Sequence, residues 1–191
     1  MQNKQIVLAS ASPRRKELLE LMGLEFTILP SKKEELITKQ IPGEVVEELA
    51  AQKAENVAQM LEQEAVVIGS DTIVVCDGEI MGKPADEAAA FEMLGKLQGR
   101  THEVYTGVAV IVKEKDKITK DIFHKKAEVT VHAMSDEEIW GYIHQGESMD
   151  KAGAYGIQGS FAVFVDEIKG EYNTVLGLPI AGLYQLLKKY Q

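Results

Sequence analysis

Ser10, Ser12, Arg14 and Arg15 stand within six residues of one another, where the apolar run Ile6-Val7-Leu8-Ala9 stops and Ser12-Pro13 opens a helix. Ser is a preferred N-cap, and Pro suits the first helical position, where no backbone donor is missed. A helix start presents free N–H groups and favours anions. Arg14, Arg15 and Lys16 instead add three cations to that turn, at a cost of about a few tenths of a kcal/mol per charge. Hydroxyls, free N–H groups and guanidinium forks together make a phosphate receptor. The plainer readings are an exposed basic helix start or a Ser-Pro kinase site.

Further cations and carboxylates are spread along the chain. Lys53 falls four residues after Leu49 and four before Val57, on the apolar stripe of a helix predicted from about Glu44 to Glu62. A lysine there either snorkels to the edge or aims its ammonium into a cleft. Asp71 interrupts the apolar run from Ala65 to Val75, which predicts a strand covered on both faces. An unpaired carboxylate at that place costs several kcal/mol, so Asp71 needs a metal, a cation or several donors. The alternative is a turn at Ser70-Asp71-Thr72 that Asp71 caps. Lys83 precedes Pro84, which holds it extended as a pointed charge or a plain loop lysine. Asp150 to Gly159 carries three glycines, Lys151 and Gln158. Such a segment brings backbone close to a ligand, or is a flexible loop; it lacks the P-loop pattern. With Glu34, Glu35 and Asp71, these cations suit a metal-chelated polyphosphate, because Mg²⁺ is often held by one or two carboxylates plus phosphate. Hydrolysis needs a water in line with phosphorus and charge neutralised on the leaving group. Asp71 can hold the metal, accept a proton from water, or both.

The elements that must position these groups alternate early. A strand, the Ser12 helix ending near Met22-Gly23 and a short strand at Phe26–Leu29 precede the long helix. Asp77-Gly78 predicts a hairpin turn. Asp86 caps a helix to about Leu97, and Ser135 with Glu138 forms a capping box. Long strands are predicted at His102–Lys113 and Ile118–His132, joined by Glu114-Lys115-Asp116-Lys117. Phe161–Ile168 and Tyr172–Leu176 predict a hairpin over Lys169-Gly170, and Pro179 starts a last helix. The class is mixed α/β with a sheet of both senses.

Bulk properties bound the function. A net charge of −9 without a basic stripe argues against polymeric nucleic acid, though not against nucleotides. No apolar run approaches the ~18 residues of a membrane span. The lone Cys76 excludes an internal disulfide, and Met1-Gln2-Asn3-Lys4 leads straight into a strand, so a reducing cytoplasm is expected. His102, His124, His132 and His144 lack metal spacing and suggest no triad.

Ser10-Ala11-Ser12-Pro13-Arg14-Arg15, Gly69-Ser70-Asp71-Thr72, Gly82-Lys83-Pro84 and Asp150-Lys151-Ala152-Gly153-Ala154-Tyr155-Gly156-Ile157-Gln158-Gly159 together resemble the Maf family over nearly the whole chain. The resemblance implies an inosine-triphosphate-pyrophosphatase-like fold, a long mixed sheet with flanking helices and two lobes around a cleft, spanning 1–191 as one domain without a separable linker. It implies a cytoplasmic pyrophosphatase that uses a divalent cation (Mg²⁺, Mn²⁺ or Co²⁺), with links to septum formation. Asp71 matches the family's catalytic acid. Ser10, Arg14, Arg15, Lys53, Lys83 and Lys151 match phosphate-binding positions; Ser12 joins them on the helix-start argument. Glu34 matches an acid beside the metal, with Glu35 as the alternative. Arg14, Thr72 and Gln158 look similar to the branch that hydrolyses dTTP and UTP. The expected partner is a nucleoside triphosphate, not a nucleic acid polymer or a membrane, and a homodimer is an assembly open to the chain. A pyrophosphatase for purine or modified nucleotides, and a nucleotide-sensing division inhibitor, are the other readings.

Overall fold

A computed structural model of the protein describes residues 4–115 and 117–190. Met1-Gln2-Asn3, read as leading straight into the first strand, and Asp116 in the turn predicted around it lie outside these residues. In chain order the elements are β1 (Gln5–Leu8), α1 (Pro13–Leu21), β2 (Thr27–Ile28), α2 (Pro42–Met60), β3 (Ala65–Cys76), β4 (Glu79–Met81), α3 (Glu87–Leu97), β5 (Thr101–Lys113), β6 (Ile118–Val131), α4 (Asp136–Ile143), β7 (Val165–Lys169), α5 (Tyr172–Leu176) and α6 (Ile180–Leu187). Among the described residues the strands follow the order β2-β1-β3-β5-β6-β7, with β4 added to β3. β1 runs parallel to β2 and β3, whereas β4 and β7 pair antiparallel with β3 and β6. The predicted mixed α/β class is the one observed.

The chain forms two compact units: Met1–Asp71, Thr106–Lys125 and Leu176–Gln191 make the first, Thr72–Tyr105 and Lys126–Val175 the second. The backbone passes from one to the other inside β3, β5, β6 and α5 rather than in a linker. No composition shift marks these passages, because a strand that continues keeps its apolar pattern.

In the first unit, α2 packs through small residues. Ala50, Ala51, Ala54 and Ala58 are buried with Val7, Val67 and Ala109 of the sheet. The strands answer with glycines. A Cβ on Gly69 would lie 2.3 Å from the Ala50 carbonyl oxygen, and one on Gly107 would lie 2.2 Å from that of Val46. Close backbone approach requires glycine at both positions.

Three caps follow the sequence rules. Ser12 accepts from the Arg15 N–H, Asp86 accepts from the Ala89 N–H at 2.7 Å, and Ser135 and Glu138 form the capping box. Asp77 and Gly78 turn β3 into β4 with φ of 51° and 80°, the left-handed pair a tight hairpin demands.

The predicted C-terminal hairpin is not formed. Ser160–Phe164 is a 3-10 turn, the strand starts only at Val165, and Tyr172–Leu176 is helical. β7 finds its partner in β6, with Val129 opposite Ile168. β7 ends the strand order among the described residues, and the next segment satisfies its backbone locally instead of adding to it, as in the Thr174 N–H bond to the Glu171 carbonyl at 2.9 Å.

Candidate active site

In the first unit, β1 ends in a buried segment at Ala9 and Ser10, and α1 begins three residues later. The intervening residues are tied together by their own hydroxyls. Ser10 Oγ accepts from the Ser12 N–H and from Arg15 Nη1, each at 3.2 Å. Arg15 Nε also donates to the Gly177 carbonyl at 2.9 Å. That fork holds the guanidinium in one direction. Burial lowers the Arg15 pKa from its usual value, while Asp71 pulls it back up. Arginine nonetheless stays cationic. Ser12 serves as the cap, so its hydroxyl faces the helix backbone as the sequence predicted.

Ser70 and Asp71 extend β3 without a break; the turn alternative does not occur. Ser70 is fully buried, its hydroxyl 2.8 Å from the Gly107 carbonyl and 2.9 Å from that of Gly177. It therefore shares with Arg15 an anchor on Gly177. Neither Ser70 nor Gly177 was singled out by spacing. A serine inside an apolar strand next to the candidate acid was the available signal.

Lys53 resolves its two alternatives. Its ammonium does not snorkel; it bonds Asp71 Oδ1 and lies 3.2 Å from Glu35 Oε1. The Lys53 and Asp71 side chains are only 15% and 14% exposed, which removes most solvent screening from the pair. Glu35 is exposed and comes from the segment before α2. Glu35, not the neighbouring Glu34, is the glutamate that reaches Lys53 among the described residues. Two carboxylates thus meet one ammonium beside an oriented arginine. Among the described residues no three His, Cys, Asp or Glu side chains form a ready cation cage. A hard cation held here would complete its shell with substrate or water oxygens, the usual mode for Mg²⁺.

In the second unit, the predicted loop is pinned from several sides. The Gly153 N–H donates to the Gly82 carbonyl at 3.0 Å, which places the loop beside the segment carrying Lys83. The Gly156 N–H donates to the Tyr142 hydroxyl at 3.1 Å. Lys151 Nζ bonds the Glu147 carbonyl at 2.8 Å and Asp150 Oδ1 at 2.6 Å. Gly153 has φ 68°, and the buried Ala154 has φ 62°. A non-glycine residue there stores about 1–3 kcal/mol of strain, a feature that clusters at ligand sites. Lys83 and Gln158 are exposed, and Thr72 is half-buried.

His102 is a loop support that spacing missed. It is 2% exposed, its Nε2 2.7 Å from the Tyr155 hydroxyl, and the two rings meet edge to face. Its Nδ1 has no hydrogen-bond partner among the described residues. Burial pushes its pKa down to about 4 from an ordinary 6.5, so the ring is neutral in the fold. The unfolded chain then binds a proton that the folded one refuses between those values, and stability falls as pH drops from 6.5 toward 4. The loss amounts to about 3 kcal/mol over that window. A His102→Gln variant should flatten this part of the curve, as followed by urea unfolding at stepped pH. An unchanged slope would assign the acid sensitivity to other groups.

Comparison with known proteins adds a family and a fold. A family model described as Maf-like protein matches residues 5–190. A relative from Agathobacter rectalis, named dTTP/UTP pyrophosphatase, is 48% identical over 198 residues, with 97% of each chain covered. One of the same name from Lachnoclostridium phytofermentans is 49% identical over 187 residues, covering 97% of this chain and 95% of its own. One from Bacillus cereus is 50% identical over 188 residues, covering 98% and 90%. Among solved structures, a HAM1 protein from Coxiella burnetii aligns with TM-score 0.52 at 18% identity, covering 97% of this chain and 99% of its own. That likeness speaks for the fold, which is the one expected from the sequence. No described helix is long and apolar enough to cross a membrane.

Proposed function

The chain belongs to the Maf family, and from that premise we propose that it is a nucleoside triphosphate pyrophosphatase cleaving dTTP and UTP to the monophosphate and pyrophosphate. The observation that carries the reading is the Glu35–Lys53–Asp71 cluster, in the unit whose α1 start holds an oriented Arg15. The names of the relatives, dTTP/UTP pyrophosphatase, support the substrate.

Asp71 takes the proton of a water directed at the α-phosphorus. The bond from that phosphorus to the bridging oxygen breaks, and pyrophosphate carries the electron pair away. Lys53 and Arg15 face the negative charge that collects on the leaving group, where fixed cations act most strongly. Ser10, Ser12, Arg14, Lys83 and Lys151 bind phosphate oxygens. The oxygen donors Asp71 and Glu35 fit a divalent cation, which when bound neutralises phosphate charge. In this reading Glu35 takes the metal-side role first matched to Glu34, because Glu35 is the one beside Lys53.

Arg14, Thr72 and Gln158 select the base. A primary amide offers both donor and acceptor to a pyrimidine edge. A base with another pattern leaves these groups unpaired, at about 1–3 kcal/mol each. Hydrolysis of a nucleotide panel with Mg²⁺, Mn²⁺ or Co²⁺ tests the proposal. We expect dTTP and UTP to exceed purine triphosphates in kcat/KM by at least about ten-fold, with pyrophosphate as product. Orthophosphate release would refute the bond assignment, and binding without turnover under every cation would favour a sensing role.

A further inference from the structure

Residues 31–38 belong to no helix or strand. Their backbone groups still need partners. Three side chains of α2 supply them. Asn56 Oδ1 accepts from the Ser31 hydroxyl at 2.9 Å and from the Lys32 N–H at 3.4 Å. Gln52 engages both backbone groups of Leu36, accepting from its N–H at 2.9 Å and donating to its carbonyl at 2.6 Å. Glu48 accepts from the Thr38 N–H at 2.9 Å and from its hydroxyl. These three residues are spaced by four, which sets them on one face of the helix. Together they act as rungs against which an irregular segment is laid like an added strand.

Glu35 sits between the Asn56 and Gln52 rungs, one peptide bond before Leu36. Lys53, which Glu35 meets, directly follows Gln52 in the helix. The two-point grip on Leu36 prevents Glu35 from sliding along α2 or rotating away from it. A one-point contact would fix the distance but leave the peptide free to turn.

We propose that Gln52 is a positioning residue that fixes Glu35 beside Lys53 and Asp71, and thereby sets the affinity of the site for its divalent cation. The inference rests on the reading of Glu35 as the metal-side acid. Residues that orient metal-binding side chains from behind typically change metal affinity by about 10–100-fold when removed.

The test uses the full chain with Gln52→Ala and Glu35→Gln, the first being benign for helix propensity. Mn²⁺ binding to the nucleotide-free protein is measured by electron paramagnetic resonance, alongside the Mn²⁺ dependence of dTTP hydrolysis. We expect Gln52→Ala to raise the Mn²⁺ dissociation constant and the half-activating concentration about ten-fold. Its kcat at saturating Mn²⁺ should stay within about two-fold, as the Gln52 amide bonds the Leu36 backbone rather than the Asp71 or Lys53 side chain. A shift in Glu35→Gln without one in Gln52→Ala overturns the positioning role and leaves the metal reading intact. If neither variant alters Mn²⁺ binding, the metal reading of Glu35 fails and the inference with it. A Gln52→Ala protein that loses kcat with unchanged Mn²⁺ affinity also refutes the proposal.

Discussion

Replacing Asp71 by Asn is expected to lower kcat for dTTP by about 10²–10⁴-fold, the usual range for losing a positioned general base. Nucleotide affinity measured without divalent cation should hold or improve. The amide matches the carboxylate in shape but cannot accept a proton from water at neutral pH. It also removes one negative charge from a place that must receive a polyphosphate. Lys53 keeps a partner in the variant, since Glu35 Oε1 lies 3.2 Å from its ammonium. The largely buried ammonium is therefore not stranded, and the fold should survive. Turnover measured beside equilibrium binding of dTTP separates the two effects. Near-full kcat in Asp71→Asn would remove Asp71 from the chemistry and reduce it to a structural partner of Lys53.

That prediction depends on a pairing that the sequence showed only from one side. The apolar run around Asp71 stated that a buried carboxylate needed a partner. It could not name Lys53, 18 residues earlier in the chain. Helical periodicity placed Lys53 on a core-facing stripe but could not say what the stripe lay against. Features settled within a turn or two were legible: the Ser12, Asp86 and Ser135 caps, and the Asp77-Gly78 hairpin. Features settled by where distant parts of the chain lie were not. Tyr172–Leu176 has strand-like composition, yet it does not add to β7 at the end of the sheet and forms a short helix instead. The choice between Glu34 and Glu35 was beyond reach for the same reason. Their segment has no period of its own, and its placement is dictated by Glu48, Gln52 and Asn56 of α2.

Gly69→Ala is expected to cost about 3 kcal/mol of stability, at the upper end of ordinary overpacking, and to reduce activity further than the stability loss alone explains. The added methyl would sit 2.3 Å from the Ala50 carbonyl oxygen and 2.9 Å from the Ala54 nitrogen. These are backbone atoms of a helix, so no side-chain rotation relieves the clash. Either α2 lifts from β3, or the strand bends. Both movements act on the site, because Lys53 precedes Ala54 on α2 and Asp71 follows Gly69 by two residues on β3. A shift of about 1 Å between catalytic groups is enough to cost about 10²-fold in rate. Urea unfolding and kcat measured well below the melting transition will resolve the two losses. A second substitution, Ala54→Gly, removes the Ala54 methyl but leaves the Ala50 carbonyl in place, so it should not restore the single variant. Recovery in the double variant would mean that side-chain crowding, rather than the helix backbone, sets the spacing between Lys53 and Asp71.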